Sequence, residues 1–345
     1  MEERRVPDPH YMARGPMGRT KRATAGRGGR LALVAYTIVF LAACNPEQSA
    51  LHPAGTDAAD LANLFWFMTI GSALIWMLLM GTAIYAVLGK KRPRSERFAD
   101  RFVFIGGVAL PTIGLAALLV FGLALLPNWA ETDAPDLRIH VVAEQFWWRL
   151  GYEDKDGVRI DTANEVHLPV GATAEFVLTS TDVIHSFWIP ALGGKMDAIP
   201  GRTNVLRLTP TKAGVYRGAC AEFCGRSHAL MAFPVVVHEA EAFATWRAAQ
   251  RQPAAVAGTE PFIAAGCGAC HVVRGVSEAG SVGPDLTHFG SRRSIGAGTL
   301  ELTEANLADW LVAPSHIKPG VRMPSFATLP DAERAAIVDF LMELK

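Results

Sequence analysis

The chain has 345 residues, 33 of them basic and 33 acidic, and half of its residues are apolar. That length allows two or three domains, and the balanced charge argues against a nucleic-acid binder, which needs a basic excess to neutralise phosphates. So apolar a composition points instead to the membrane.

Residues 1–44 read as a secretory signal: an Arg-rich leader, then LALVAYTIVFLAAC, too short to span a bilayer and ending in small residues. Leu41, Ala42, Ala43 and Cys44 resemble a bacterial lipobox, in which the cysteine is lipidated and becomes the N-terminus after cleavage. An uncleaved third helix is the alternative, and Met12 or Met17 are candidate starts of so long a leader. A linker over 45–60 follows. Residues 61–89 and 102–127 carry no charge, and each stretch exceeds the roughly 20 apolar residues that cross a bilayer core, so 61–128 is expected to form a transmembrane helical hairpin. Between the two lie Lys90, Lys91, Arg92, Arg94, Arg97 and Arg101 against Glu96 and Asp100, which places this loop in the cytoplasm and everything after about residue 128 outside.

Within a domain expected at 129–246, residues 137–239 alternate apolar and polar positions in short runs (LRIHVV, AEFVLTS, VLRLTP, FPVVVH) separated by turn sequences such as PVGAT and TKAG. The spacing predicts an all-β sandwich or Greek-key barrel of about a hundred residues. Its loop CAEFCGRSHALM offers Cys220, Cys224, His228 and Met231, while TSTDVIHSFWIP brings His185 from a distant strand. Thiolates, imidazoles and a thioether form a soft ligand set suited to copper. Two thiolates can bridge two ions, each taking one imidazole, with Met231 and the Glu222 carbonyl as weak further ligands. A single zinc site and a Cys220–Cys224 disulfide are the competing readings.

After a linker at 247–258, residues 259–345 contain Cys267, Gly268, Ala269, Cys270 and His271, the C-x-x-C-H attachment signature of c-type haem. VRMPSF supplies Met323 as the second axial ligand, GPDL at 283–286 fits a loop against the haem, and DAERAAIVDFLMELK has the spacing of a closing amphipathic helix. An all-α class I cytochrome c domain is expected. His288 and His316 are read as surface or supporting residues, and His140, His167 and His238 as exposed or hydrogen-bonded strand residues.

These motifs together resemble subunit II of haem-copper cytochrome c oxidases, in the caa-type branch with a fused cytochrome c; KMDAIPGR at 195–202 also matches. The resemblance implies a binuclear CuA centre and covalent haem c. It implies that electrons pass from a soluble or membrane cytochrome c through these two groups to subunit I, where oxygen is reduced to water with proton pumping; no catalytic residue sits on this chain. It further implies subunit III and membrane lipid as neighbours, and a bacterial inner membrane location with both redox domains on the periplasmic side. Glu222 would also reach a magnesium ion shared with subunit I, with Asp197 and Arg202 at that contact. Two positions depart from the family pattern. The Q-W-x-W segment where electrons enter reads Gln145, Phe146, Trp147, Trp148, leaving Trp147 or Trp148 to substitute, and the carboxylate expected two turns before Pro111 is Phe104.

Overall fold

The computed structural model describes residues 46–89, 95–125, 134–153, 157 and 159–345. The expected signal with its lipobox Cys44, and Lys90, Lys91, Arg92 and Arg94 of the basic loop, lie outside the described residues.

The two uncharged runs form helices α1 (Thr56–Leu88) and α2 (Glu96–Ala124). At 1.5 Å per residue both exceed the hydrocarbon thickness of a bilayer, about 30 Å. Their large side chains, among them Trp66, Trp76, Leu78, Phe102 and Phe121, stand exposed, an apolar surface that only lipid or a partner would cover. One turn of α2, Ile105–Ala109, is π-helical, with the Leu110 N–H reaching the Ile105 carbonyl. The turn directly precedes Pro111, whose missing N–H removes one bond from the regular ladder. The start of α1 is tied to the next domain: Ala54 N–H donates to Ala191 O at 2.7 Å and Ala58 N–H to Leu192 O at 3.2 Å.

Ten strands follow: β1 (Leu137–Glu144), β2 (Trp147–Glu153), β3 (Arg159–Ala163), β4 (Val166–Pro169), β5 (Ala174–Ser180), β6 (His185–Trp188), β7 (Lys195–Ala198), β8 (Asn204–Leu208), β9 (Gly214–Cys220) and β10 (Ala232–His238). They make two five-stranded sheets, ordered β3-β2-β1-β5-β8 and β4-β10-β9-β6-β7. Each sheet contains one parallel pair, β1 with β5 and β4 with β10. The predicted alternation is realised in β1, where Leu137, Ile139, Val141 and Ala143 are buried and Arg138, His140, Val142 and Glu144 face away. Between the sheets Phe187 stacks on Phe233 at 4.7 Å, and Trp148 meets both edge-on at 5.3 and 5.5 Å. This aromatic cluster anchors the sandwich beneath the copper-type loop.

Helix α3 (Ala240–Gln250) leaves the sandwich, so the expected linker at 247–258 begins within its last turn. Trp246 lays its ring on His167 at 4.1 Å and against Tyr152 at 5.1 Å, fixing α3 to the sandwich. The C-terminal domain builds a separate core from Phe262, Val273, Leu307, Trp310, Ile337 and Phe340. The short helix α4 (Glu260–Ala264) precedes the C-x-x-C-H motif; α5 (Glu304–Val312), α6 (Pro314–Ile317) and α7 (Asp331–Glu343) follow, and a short antiparallel pair, Ser294–Ile295 with Leu300–Glu301, is an addition to the expected helices. The predicted closing helix is α7, which buries Ile337, Val338, Phe340 and Leu341.

Candidate metal and haem centres

Strand register builds the sulfur-rich site. Phe187 of β6 pairs with Cys220, the last residue of β9, so His185 lies two residues further toward the connecting loop. The loop folds back until the Cys220 N–H donates to the Met231 carbonyl at 2.8 Å, at the start of β10. The donors then form a continuous set. Cys220 Sγ lies 3.8 Å from His185 Nδ1, 3.8 Å from Cys224 Sγ and 3.2 Å from the Glu222 carbonyl. Cys224 Sγ lies 3.7 Å from His228 Nδ1 and 3.9 Å from Met231 Sδ. A disulfide would need about 2.05 Å between sulfurs. Ligands sharing one tetrahedral ion sit about 3.5–3.8 Å apart, from metal–sulfur and metal–nitrogen bonds of about 2.3 and 2.1 Å. The residues therefore fit a metal centre, and six donors reaching across two thiols exceed what one four-coordinate zinc needs.

Electrostatics prepares the thiols. The Cys220 thiol is drawn well down by the hydrogen bond from Cys224, against burial and with the help of His185. Cys224, beside that thiolate and buried, is pushed up. Asp182, not singled out from the sequence, accepts from His185 Nε2 at 2.9 Å and from the Gln145 N–H at 2.7 Å. Burial raises its carboxyl, but hydrogen bonds from His185, Gln145 and Val183 outweigh that and hold it below the usual range. The pairing leaves His185 Nδ1 aimed at sulfur. Asp182→Asn is therefore expected to lower copper affinity on the order of 10–100-fold, the usual effect of losing a carboxylate behind a ligating histidine, read by competition with a chelator.

In the cytochrome domain Cys267, Cys270, His271 and Met323 line one apolar cavity holding about 1370 Å³ of space, open mouth included. His271 Nδ1 donates to the Pro284 carbonyl at 2.8 Å, which leaves Nε2 as the free lone pair. Burial lowers the imidazole pKa and keeps the ring neutral, as an iron ligand must be. Trp310 Nε1 donates to Met323 Sδ at 3.2 Å and orients the thioether. Gly283 of the GPDL loop lies flat on the imidazole, where a Cβ would come within 2.6 Å of its Cε1. Gly283→Ala is thus expected to displace the ring and cut haem content on the order of tenfold, measured against protein by pyridine haemochrome. These residues fit a covalent haem.

The two centres share a wall. Phe146 and Trp147 also line the haem cavity, and Gln145 Nε2 donates to the Cys224 carbonyl at 2.5 Å. Trp147 sits at the rim beneath the Arg149 guanidinium, 4.7 Å from its ring centroid, while Trp148 is fully buried behind His185. Cross-domain bonds fasten the wall: Arg149 to Ser281 O at 2.8 Å, Ser227 Oγ to Pro319 O at 2.6 Å, and the Arg293 N–H to Glu165 Oε2 at 2.8 Å. Among the remaining histidines, His140 pairs with Glu153 at 2.8 Å, and His167 lies 2.8 Å from His238 and 3.0 Å from Glu165. His288 is buried between the Lys345 and Gln252 carbonyls, whereas His316 is exposed. Asp197 lies 3.2 Å from Lys195; Glu222 and Arg202 are exposed.

Fold and site together define a membrane-anchored electron-transfer protein, with a sulfur-rich metal centre in a β-sandwich and a c-type haem domain behind it. The family "Cytochrome C oxidase subunit II, periplasmic domain" matches residues 152–240, and the family "Cytochrome c" matches 255–345. The chain is 32% identical to cytochrome c oxidase subunit 2 of Alkalihalophilus pseudofirmus, over 90% of this chain and 96% of that one. With the same subunit of Bacillus subtilis it shares 30% identity over 91% and 96%. The crystal structure of the periplasmic domain of subunit II (CoxB) of Bradyrhizobium japonicum is 33% identical, covering 34% of this chain and 96% of that one, at a TM-score of 0.32. The chain belongs to the cytochrome c oxidase subunit II family. Membership implies CuA copper, haem c and association with the oxidase's subunit I.

Proposed function

We propose that this chain receives electrons from an outside cytochrome c and delivers them, through its own two redox domains, to subunit I of a haem-copper oxidase. Oxygen is reduced there, coupled to proton pumping. His185, Cys220, Glu222, Cys224, His228 and Met231 would hold the dicopper pair, and Cys267, Cys270, His271 and Met323 the haem. When bound, these groups supply one-electron chemistry with little nuclear rearrangement. The protein supplies position: Asp182 fixes His185, Pro284 and Gly283 fix His271, Trp310 fixes Met323, and Phe146 with Gln145 fills the space between the centres.

The remaining assignments rest on the resemblance and the sequence. Domain limits are taken at 61–128 for the hairpin, 129–246 for the sandwich and 259–345 for the cytochrome. The hairpin lies in a bacterial inner membrane with 90–101 cytoplasmic, Cys44 carries lipid, and subunit III completes the complex. The exposed Glu222 carboxylate is available for a magnesium ion at the subunit I contact. Trp147, at the rim of the haem cavity, is the better placed of the two tryptophans to conduct electrons.

The observation that carries this reading is the donor set from His185 to Met231 sharing a wall with the C-x-x-C-H cavity. Metal analysis and electron spin resonance of the purified chain test it. Two coppers per haem c with a mixed-valence signal are expected; a single zinc, or an oxidised Cys220–Cys224 pair in the mature protein, would refute it.

A further inference from the structure

Met231 stands between hydrogen bonds that come from the cytochrome domain. On one side the Leu230 carbonyl accepts from Lys318 Nζ at 2.8 Å and from Thr299 Oγ1 at 3.2 Å. On the other, the Ala232 N–H donates to the Ala297 carbonyl at 2.9 Å. Lys318 is 1% exposed, and its other acceptor is the Gly296 carbonyl at 2.5 Å. Burying an amine is costly unless its N–H groups are satisfied, so these two carbonyls are what makes the position tenable.

The loop that meets Ala232 is itself strained. Gly296, Ala297 and Gly298 are all left-handed, with φ of +60°, +58° and +73°, and Ala297 adopts that conformation with a side chain. In a non-glycine residue such as Ala297 that conformation persists only where the surroundings impose it. A Cβ on Gly298 would come within 3.1 Å of the Ala232 Cβ, so the contact is close-packed.

We propose that Lys318 and Thr299 are positioning residues for the copper centre: the cytochrome domain holds the backbone on both sides of Met231 and so sets the reach of its thioether toward the metal. This rests on the ligand assignment above. A thioether is the weak ligand of a soft copper site, and its distance tunes the redox potential. Contacts that orient ligands from outside tune the metal, and losing one typically costs about 10–100-fold in metal affinity or activity. With Leu230 O and Ala232 N both held, only the Met231 side-chain torsions remain free. Other cross-domain bonds, such as Glu165 to the Arg293 N–H, join the domains without touching this segment.

The test uses the full chain, purified with its complex, as parent, Lys318→Met, Thr299→Val and Glu165→Gln. The two positioning variants are expected to keep parental copper and haem content while shifting the copper hyperfine pattern, the near-infrared band and the copper midpoint potential. Glu165→Gln is expected to leave all three unchanged. In metal-free chain, the Ala232 amide should exchange roughly tenfold faster in Lys318→Met, a local opening that needs no copper. Parental protein without two coppers would fail the ligand assignment and not this inference. Copper-loaded Lys318→Met and Thr299→Val with parental spectrum and potential would overturn it; if Lys318→Met does not load, Thr299→Val decides on the same readings.

Discussion

Cys224→Ser is expected to abolish the copper signal and lower oxygen consumption by more than about 100-fold, beyond what loss of an outer contact costs. Cys224 Sγ lies within 3.9 Å of Cys220, His228 and Met231 and so joins three of the other donors. A serine hydroxyl is hard, shorter in reach and not ionised near neutrality, so it would be a poor substitute for a thiolate donor to copper. The haem cavity takes Glu144, Gln145, Phe146, Trp147 and Asn164 from the sandwich and none of the sulfur-site donors, so haem content should stay parental. Flash-induced oxidation of haem c would then stall. Parental turnover in a variant shown to lack the dicopper signal would mean that electrons bypass this site.

Phe187→Ala is expected to destabilise the extracytoplasmic part by about 3–5 kcal/mol, the range for truncating a buried phenylalanine. Its ring is completely buried, stacked on Phe233 and touched by Trp148 and Phe176 at 5.3 and 5.0 Å. It also pairs with Cys220, so the cavity would open directly under the thiols. Phe223→Ala is the contrast: that ring is 76% exposed, and its removal should change stability by about 0.5 kcal/mol or less. Denaturant unfolding followed by tryptophan fluorescence measures both, and equal losses would contradict the burial described here.

Much of this was legible because the signals are local. Uncharged runs longer than a bilayer, period-two strands and C-x-x-C-H each state their structure within a short window. The copper donors were legible as chemistry, since thiols, imidazoles and a thioether crowd 220–231, and His185 stood out in an apolar strand. Asp182 was available as a carboxylate three residues before that histidine, yet nothing local says its side chain turns back. Lys318 was beyond reach altogether: a lysine after a short helix reads as a surface residue, and its burial exists only because two domains close over it. Trp148 shows the same limit, for one residue separates a ring at the cavity rim from a ring in the core, and strand register alone decides which is which.

The shared wall has a consequence for traffic. Phe146, where the family's pattern puts the residue at which electrons arrive, is buried and packed within 3.1 Å of where a side chain on Gly320 would begin. A carrier diffusing in from solution meets the cytochrome domain before it can meet that spot. With that spot covered from the cytochrome side, a chain that matures without porphyrin is expected to pass electrons far more slowly.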